Sequence, residues 1–368
     1  CPVAPDGEIA GVPPESSEES AEQKDRYAAL QAALVGVRLL CLKCENNKVW
    51  FMKEGGAQAL LNVFRLEGRQ SERMRLLVRA AFQALQSLVI ADDMSKDFSA
   101  AFDHARDFVA KGAIPILMGA AKEFEEYYEV ISAALLAIRG LACNTDSVKE
   151  ITNNGGNEMI EQILGHASAD VAAKQAAVAL VRNICADDSQ KTWACESDVL
   201  AKIVEAMRQH PGVSQLQEHA IASFAQMALR SPENAQKLVT AGAPRSITTA
   251  MRRHPTVVSL QRQGSLCIRN IVARSPQFIE TFLEEGAEPL LRQAGKYQGC
   301  VDEAYGALRD LQCDVSLVQV ASDGSVVGGA VEMFGVIKSA FKPVYDENKQ
   351  TETKINEASH SPANDLNM

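Results

Sequence analysis

Four arginines recur at nearly even intervals, Arg139, Arg182, Arg269 and Arg309, with Gln226 filling the gap, so that successive steps are 43, 44, 43 and 40 residues. A guanidinium is a rigid fork of N–H donors that matches a carboxylate or phosphate in two places at once, so such a row suits an acidic or phosphorylated peptide. The same residues suit a second use, in which each Arg bonds carbonyls or carboxylates within the fold and covers apolar surface with its stem. Both uses stay open at the level of sequence. The 368-residue chain carries 37 Lys and Arg against 47 Asp and Glu, a formal charge of −10. The arginine row is therefore a local basic feature on an acidic molecule, and nucleic acid or an anionic membrane is not the expected partner.

Other chemistry is sparse. There is no P-loop, no GxGxxG after a strand, no HExxH and no GxSxG, and the glycine pairs are not followed by the Lys-Ser/Thr of a phosphate cradle. No enzyme activity and no cofactor are expected. Cys41-Leu-Lys-Cys44 is an isolated CxxC without a second ligand pair at zinc spacing, so no metal is expected and the pair reads as small apolar residues on a helix. His210 and His254 each precede a proline at equivalent places, where an imidazole interacts favourably with a helix C-terminus. Nine cysteines, an odd number set largely in Ala/Leu runs, point to a reduced, cytoplasmic setting, the cytosol first, with nucleus or cilium as alternatives. No apolar run approaches the ~18 residues of a membrane span. The chain opens at Cys1 and not at Met, so the natural protein is expected to extend upstream.

A side chain that returns every 43 residues needs an element that returns with it. Ala206-Met207-Arg208-Gln209-His210-Pro211 and Ala250-Met251-Arg252-Arg253-His254-Pro255 agree at five of six places with an offset of 44, and Val181-Arg182-Asn183-Ile184 matches Ile268-Arg269-Asn270-Ile271 two repeats on. Gly55-Gly56, Gly112, Gly155-Gly156, Gly242 and Gly286 keep the same step, each ending a short amphipathic run, as a helix-closing glycine does. Asp198 stands where the fourth unit would place its glycine. Periods of roughly 40–47 residues with helical patterning belong to armadillo and HEAT arrays. Each unit reads as three helices. The first is short and opens at a cap such as Ser231-Pro232 or Ser275-Pro276, the second follows the glycine, and the third, for example residues 171–186, is long and apolar nearly all round.

Six units are expected near residues 47–91, 102–143, 146–186, 188–229, 231–273 and 275–313, preceded by the last helix of an incomplete unit at 27–44. Residues 90–101 read as an inserted surface loop. The expected organisation is a disordered acidic segment at 1–25, a repeat domain at 26–315, a capping segment at 316–346 and a disordered tail at 347–368.

The glycine turn together with the Ala-x-x-Leu/Ile-Arg-Asn-Ile/Leu pattern resembles armadillo repeats. More narrowly, Phe102-Asp103-His104-Ala105-Arg106, Asp146-Ser147-Val148-Lys149 before Gly155-Gly156, residues 250–255, 267–273 and 307–313 resemble the armadillo repeat-containing protein 6 family. The resemblance spans about residues 28–315 and implies an all-α, right-handed armadillo-repeat α-solenoid whose third helices line the inner, concave surface. It also implies that Asn183 and Asn270 match the asparagine ladder that hydrogen-bonds an extended peptide, broken at Gly140, Met227 and Asp310. Eight residues earlier, on the same helix face, stand Ser132, Gln175, His219, Arg262 and Asp302. Import adaptors of this superfamily place a Trp four residues before the ladder Asn; here Ala179 and Leu266 stand there, so a basic import signal is not expected.

The expected contact residues are Gln175, Arg182, Asn183, His219, Arg262, Arg269 and Asn270. The expected function is a non-enzymatic protein–protein scaffold or adaptor that binds an acidic or extended segment of a protein partner along the concave groove. Two alternatives accompany it: a regulator, exchange factor or chaperone for a GTPase, and a structural component of a cytoskeletal or axonemal assembly. Oligomeric state and partner identity are open.

Overall fold

The structure is a computed structural model and describes residues 21–66 and 71–315, among which there is no strand. It opens with α1 (Ala21–Cys41), a lone third-type helix. Unit one follows as α2 (Glu45–Lys53), α3 (Gly56–Val63) and α4 (Glu72–Leu88), and unit two as α5 (Ala101–Ala110), α6 (Ala113–Glu123) and α7 (Tyr128–Leu141). Units three to five are α8 (Thr145–Asn153), α9 (Gly156–Gly165), α10 (Val171–Ile184); α11 (Asp188–Glu196), α12 (Val199–Gln209), α13 (Ser214–Ala228); and α14 (Pro232–Thr240), α15 (Ala243–Arg253), α16 (Val258–Val272). Unit six replaces its first helix by a 3-10 turn (Pro276–Phe278) and α17 (Ile279–Glu284), then has α18 (Ala287–Ala294) and α19 (Val301–Asp310). Because α1 begins at Ala21, residues 21–25 are helical, not disordered as the composition suggested; residues 1–20, the capping segment at 316–346 and the tail at 347–368 lie outside the described residues.

The heaviest helix–helix packing runs along the third helices, from α1 to α4, α7, α10, α13, α16 and α19 in chain order. This follows from their composition. On α10, Ala173, Ala176, Ala177, Val178, Ala179, Leu180, Val181 and Ile184 are all buried, which leaves only a narrow polar strip. Small residues let successive third helices approach closely, and Phe82 on α4 and Phe224 on α13 fill the larger gaps. Truncating either to Ala is worth about 3–5 kcal/mol by the usual cost of an aromatic-sized cavity.

Between first and second helices the turn is made by Gly55, Gly112, Gly155, Gly242 and Gly286, all at positive φ. In unit three the left-handed residue is Gly155 (φ 93°), and Gly156 is the first residue of α9. Gly156 serves a different need, since a Cβ there would lie 2.6 Å from Ile151 Cγ2 and 2.9 Å from its carbonyl oxygen. Asp198 makes no left-handed turn: it is right-handed (φ −70°), after an extended Ser197. The caps also divide. Ser231 Oγ accepts from Asn234 N at 3.3 Å ahead of Pro232, as expected, whereas buried Ser275 makes no cap and Pro276 enters the 3-10 turn.

Candidate partner-binding strip on the third helices

Seven expected contact residues sit on three adjacent third helices: Gln175, Arg182 and Asn183 on α10, His219 on α13, and Arg262, Arg269 and Asn270 on α16. Their surroundings differ along the strip. At the C-terminal end, Arg262 Nε donates to Glu303 Oε1 at 2.7 Å across the α16–α19 junction. Arg269 lies 3.6 Å from Asp310, and Arg309 donates to the same carboxylate at 2.8 Å. Gly306 on α19 lets the Arg269 guanidinium lie along that helix, with its Nε 3.1 Å from where a Cβ would stand. This end of the row is neutralised by its own stack.

Toward the N-terminal end, Arg139 on α7 and Arg182 on α10 have no ion pair or side-chain hydrogen bond with any described residue. Arg139 is largely buried. Burial first, and then the Arg182 charge, push its pKa below the usual guanidinium range, while Glu218 on α13 acts in the other direction more weakly. The Glu218 carboxylate itself accepts from Ser259 Oγ at 2.6 Å. His219 reports the same positive potential: burial, Arg139 and Arg182, in that order, lower its pKa to about 4, so the imidazole is neutral at physiological pH. Its Nδ1 is buried and has no hydrogen-bond partner among the described residues. Gln175 Nε2 meets Gln215 Oε1 at 3.0 Å on the next unit.

Both ladder asparagines turn inward with one end of the amide. Asn183 Nδ2 donates to the Arg139 carbonyl at 3.1 Å, and Asn270 Nδ2 to the Ala225 carbonyl at 2.9 Å, each reaching the preceding third helix. They tie units together and keep their carbonyl oxygens for other use. Where the ladder is broken at Gly140, a Cβ would lie 2.3 Å from Val89 Cγ2, so the chain leaving α4 occupies the space that an Asn would need.

That chain, residues 89–100, is nearly the stretch 90–101 that reads in the sequence as a surface insertion, yet it is anchored. Lys48 on α2, fully buried, donates to the Ile90 carbonyl at 2.6 Å and pairs with Asp92 and, at 3.7 Å, with Glu45. Glu45 in turn accepts from Ala100 N at 2.6 Å and from Ser99 Oγ, and Asp93 accepts from Glu45 N. Held in this way, the loop forms one side of a cavity of about 470 Å³ whose other walls include Phe102, Leu136, Arg139, Gly140 and Asn183.

Sequence reasoning missed two groups. Lys48 and its carboxylates gave no signal beyond ordinary charge. Gln217 and Gln261, 44 residues apart, are buried and clamp the ends of α12 and α15, each donating to two carbonyls (Met207 and His210, Met251 and His254) at 2.8–3.0 Å. That spacing was present to be read. His254 also meets the carbonyl of Pro211, in the loop after α12, at 2.8 Å, a contact that joins units four and five. Among the described residues no cluster of three or more potential metal ligands occurs, and no helix is long and apolar enough to cross a membrane.

Comparison with known proteins places this architecture. An engineered protein of known crystal structure aligns with a TM-score of 0.59 at 19% identity, covering 81% of this chain and 66% of that one. A designed armadillo repeat protein solved in complex with the peptide (KR)4 aligns with a TM-score of 0.53 at 20% identity, covering 69% of this chain and 98% of that one. Armadillo repeat-containing protein 6 from Pongo abelii and from Homo sapiens are each 31% identical over 209 residues, 54% of this chain and 41% of theirs. The Drosophila melanogaster homolog is 28% identical over 240 residues, 60% of this chain and 50% of its own. The chain thus spans about half the length of the curated relatives it matches. The ARMC6 family model matches residues 21–323, most of the chain. With its third helices stacked in order and its ladder asparagines in register, the chain is an armadillo-repeat solenoid and belongs to the ARMC6 family.

Proposed function

We propose that this chain is a non-enzymatic protein-interaction scaffold of the cytoplasm that holds an extended, acidic segment of a protein partner along the third-helix strip, with affinity concentrated on units two to four. The observation that carries this reading is the pair of guanidiniums on Arg139 and Arg182, without carboxylate partners among the described residues, next to a neutral His219. A positive site that the stack leaves unneutralised attracts an anionic segment and repels a basic one. The (KR)4 peptide bound by the designed structural neighbour is basic, whereas two arginines without carboxylate partners among the described residues call for the opposite charge. Gln175, Arg182, Asn183 and His219, joined by Arg139, are the contact set on this reading. Arg262, Arg269 and Asn270 extend the track as groups already engaged within the stack.

The test is site-specific photo-crosslinking. With a benzophenone side chain at Gln175, partner peptides captured from lysate are expected to be rich in acidic or phosphorylated residues, and capture is expected to weaken as salt is raised. The same group at Lys149, exposed on α8, serves as the outer-face control. If adducts form from Lys149 and none from Gln175, the binding surface is not the third-helix strip and this reading is wrong.

A further inference from the structure

Resting on that reading, we infer that the segment bound at Arg139 and Arg182 carries a phosphorylated serine or threonine, with an apolar side chain next to it filling the cavity between the 89–100 loop and α7. Three observations converge on this choice. The first is charge. Two guanidiniums on neighbouring third helices act on one another, and the carboxylate that acts on Arg139, Glu218, does so less strongly than Arg182. A single carboxylate supplies one negative charge, whereas a phosphoryl group supplies roughly 1.5–2 and three acceptor oxygens, enough for two forks at once.

The second is the donor set. His219 Nδ1 is buried without a partner beside the two arginines, and an imidazole flanked by an anion gains a proton readily. The third is the adjoining space. The cavity of about 470 Å³ falls in the range of small-ligand pockets, roughly 300–1,000 Å³. Arg139, Asn183, Gln86 and Ser99 are among its polar lining residues, and Val89, Ala101, Phe102 and Leu136 among its apolar ones. Phe102 is half exposed, with only the Arg106 guanidinium over its ring at 5.9 Å. Gly140 lets Val89 close against α7, so that the 89–100 loop can form a wall of this cavity. A phosphate site and a cavity of mixed lining, with Phe102 and Leu136 in its wall, that share Arg139 describe an extended peptide more closely than they describe a free anion.

The experiment uses the full chain and a degenerate nine-residue peptide library with a fixed central phosphoserine. The best-ranked sequence is then measured by fluorescence anisotropy in its phosphoserine, serine and glutamate forms. The phosphoserine form is expected to bind tighter than either of the others by about tenfold or more, and Arg139→Gln or Arg182→Gln to lose about that much. Arg182→Lys, which keeps the charge but loses the fork, is expected to fall between parent and Gln variant. Arg208→Gln, on the second helix α12 and not on the strip, is expected to stay within about twofold, because its guanidinium is already paired with Glu205. Phe102→Ser is expected to erase the preference for an apolar neighbour without removing the preference for phosphate. Melting curves by circular dichroism establish that each variant is folded, and Arg182→Lys keeps the test valid if a Gln variant is not. The inference is overturned if no library member binds, if the glutamate form binds as tightly as the phosphoserine form, or if the Arg139 and Arg182 variants bind like the parent. An unphosphorylated acidic partner crosslinked from Gln175 would leave the scaffold reading standing while removing this one.

Discussion

Arg182 and Arg269 occupy equivalent places two repeats apart, on helices that share Arg-Asn-Ile at their C-terminal ends, and meet opposite surroundings. What separates them is the residue that the next unit presents at its ladder position. For Arg269 it is Asp310, 3.6 Å away, which also takes Arg309. For Arg182 the corresponding residue is the buried, apolar Met227, and for Arg139 it is Asn183, whose amide is turned to a backbone carbonyl. In a solenoid, then, whether a repeated charged residue is a binding group or a stacking group depends on the following repeat more than on its own.

The largest effect expected from breaking this contrast lies beneath the N-terminal half. Lys48 is buried against Glu45 and Asp92, and it holds the loop that shapes the cavity. Lys48→Ala should leave two carboxylates facing a missing partner and cost about 3–5 kcal/mol, read as a fall in the urea midpoint. A change under about 1 kcal/mol would mean that the loop is held by something else. No such loop shapes units four to six, so an equivalent charge removal at Arg262 should be nearly silent in stability, because that pair is half exposed.

A second test makes the C-terminal half resemble the other. Glu303→Gln with Asp310→Asn removes the carboxylates that neutralise Arg262, Arg269 and Arg309. The expected outcome is a new affinity for acidic peptides, measured by anisotropy, with a steeper salt dependence than in the parent. If the double variant gains none, charge pairing is not what silences that end.

The smallest effect concerns the ladder. Asn183→Ala and Asn270→Ala each remove a donor to a carbonyl of the preceding third helix and should cost about 1 kcal/mol apiece in thermal or urea unfolding. Equal losses at both sites would show that the ladder acts alike in the two halves and that only the arginines differ. A neutral result at either would show that its amide is free for a ligand.

Sequence periodicity alone reached the repeat, the three-helix unit, the glycine turns and the register of the strip, because these depend on local geometry. A helix needs apolar faces at its own period, a left-handed turn needs Gly, and a stacked unit needs its neighbours to carry the same pattern. It also gave Arg182 and Arg269 equivalent places on third helices two repeats apart. It could not say which arginines were neutralised, since the carboxylates that decide this stand 41 residues away on another helix. Nor could it see that residues 89–100 fold down onto Lys48 and displace the ladder at Gly140, because an inserted loop breaks the period that made the rest legible. Nor does the pair Gly155-Gly156 say by itself how the work is divided: Gly155 turns and Gly156 gives way to Ile151. What local residue types dictate was written in the chain, while what depends on one unit meeting the next was settled only by the packed structure.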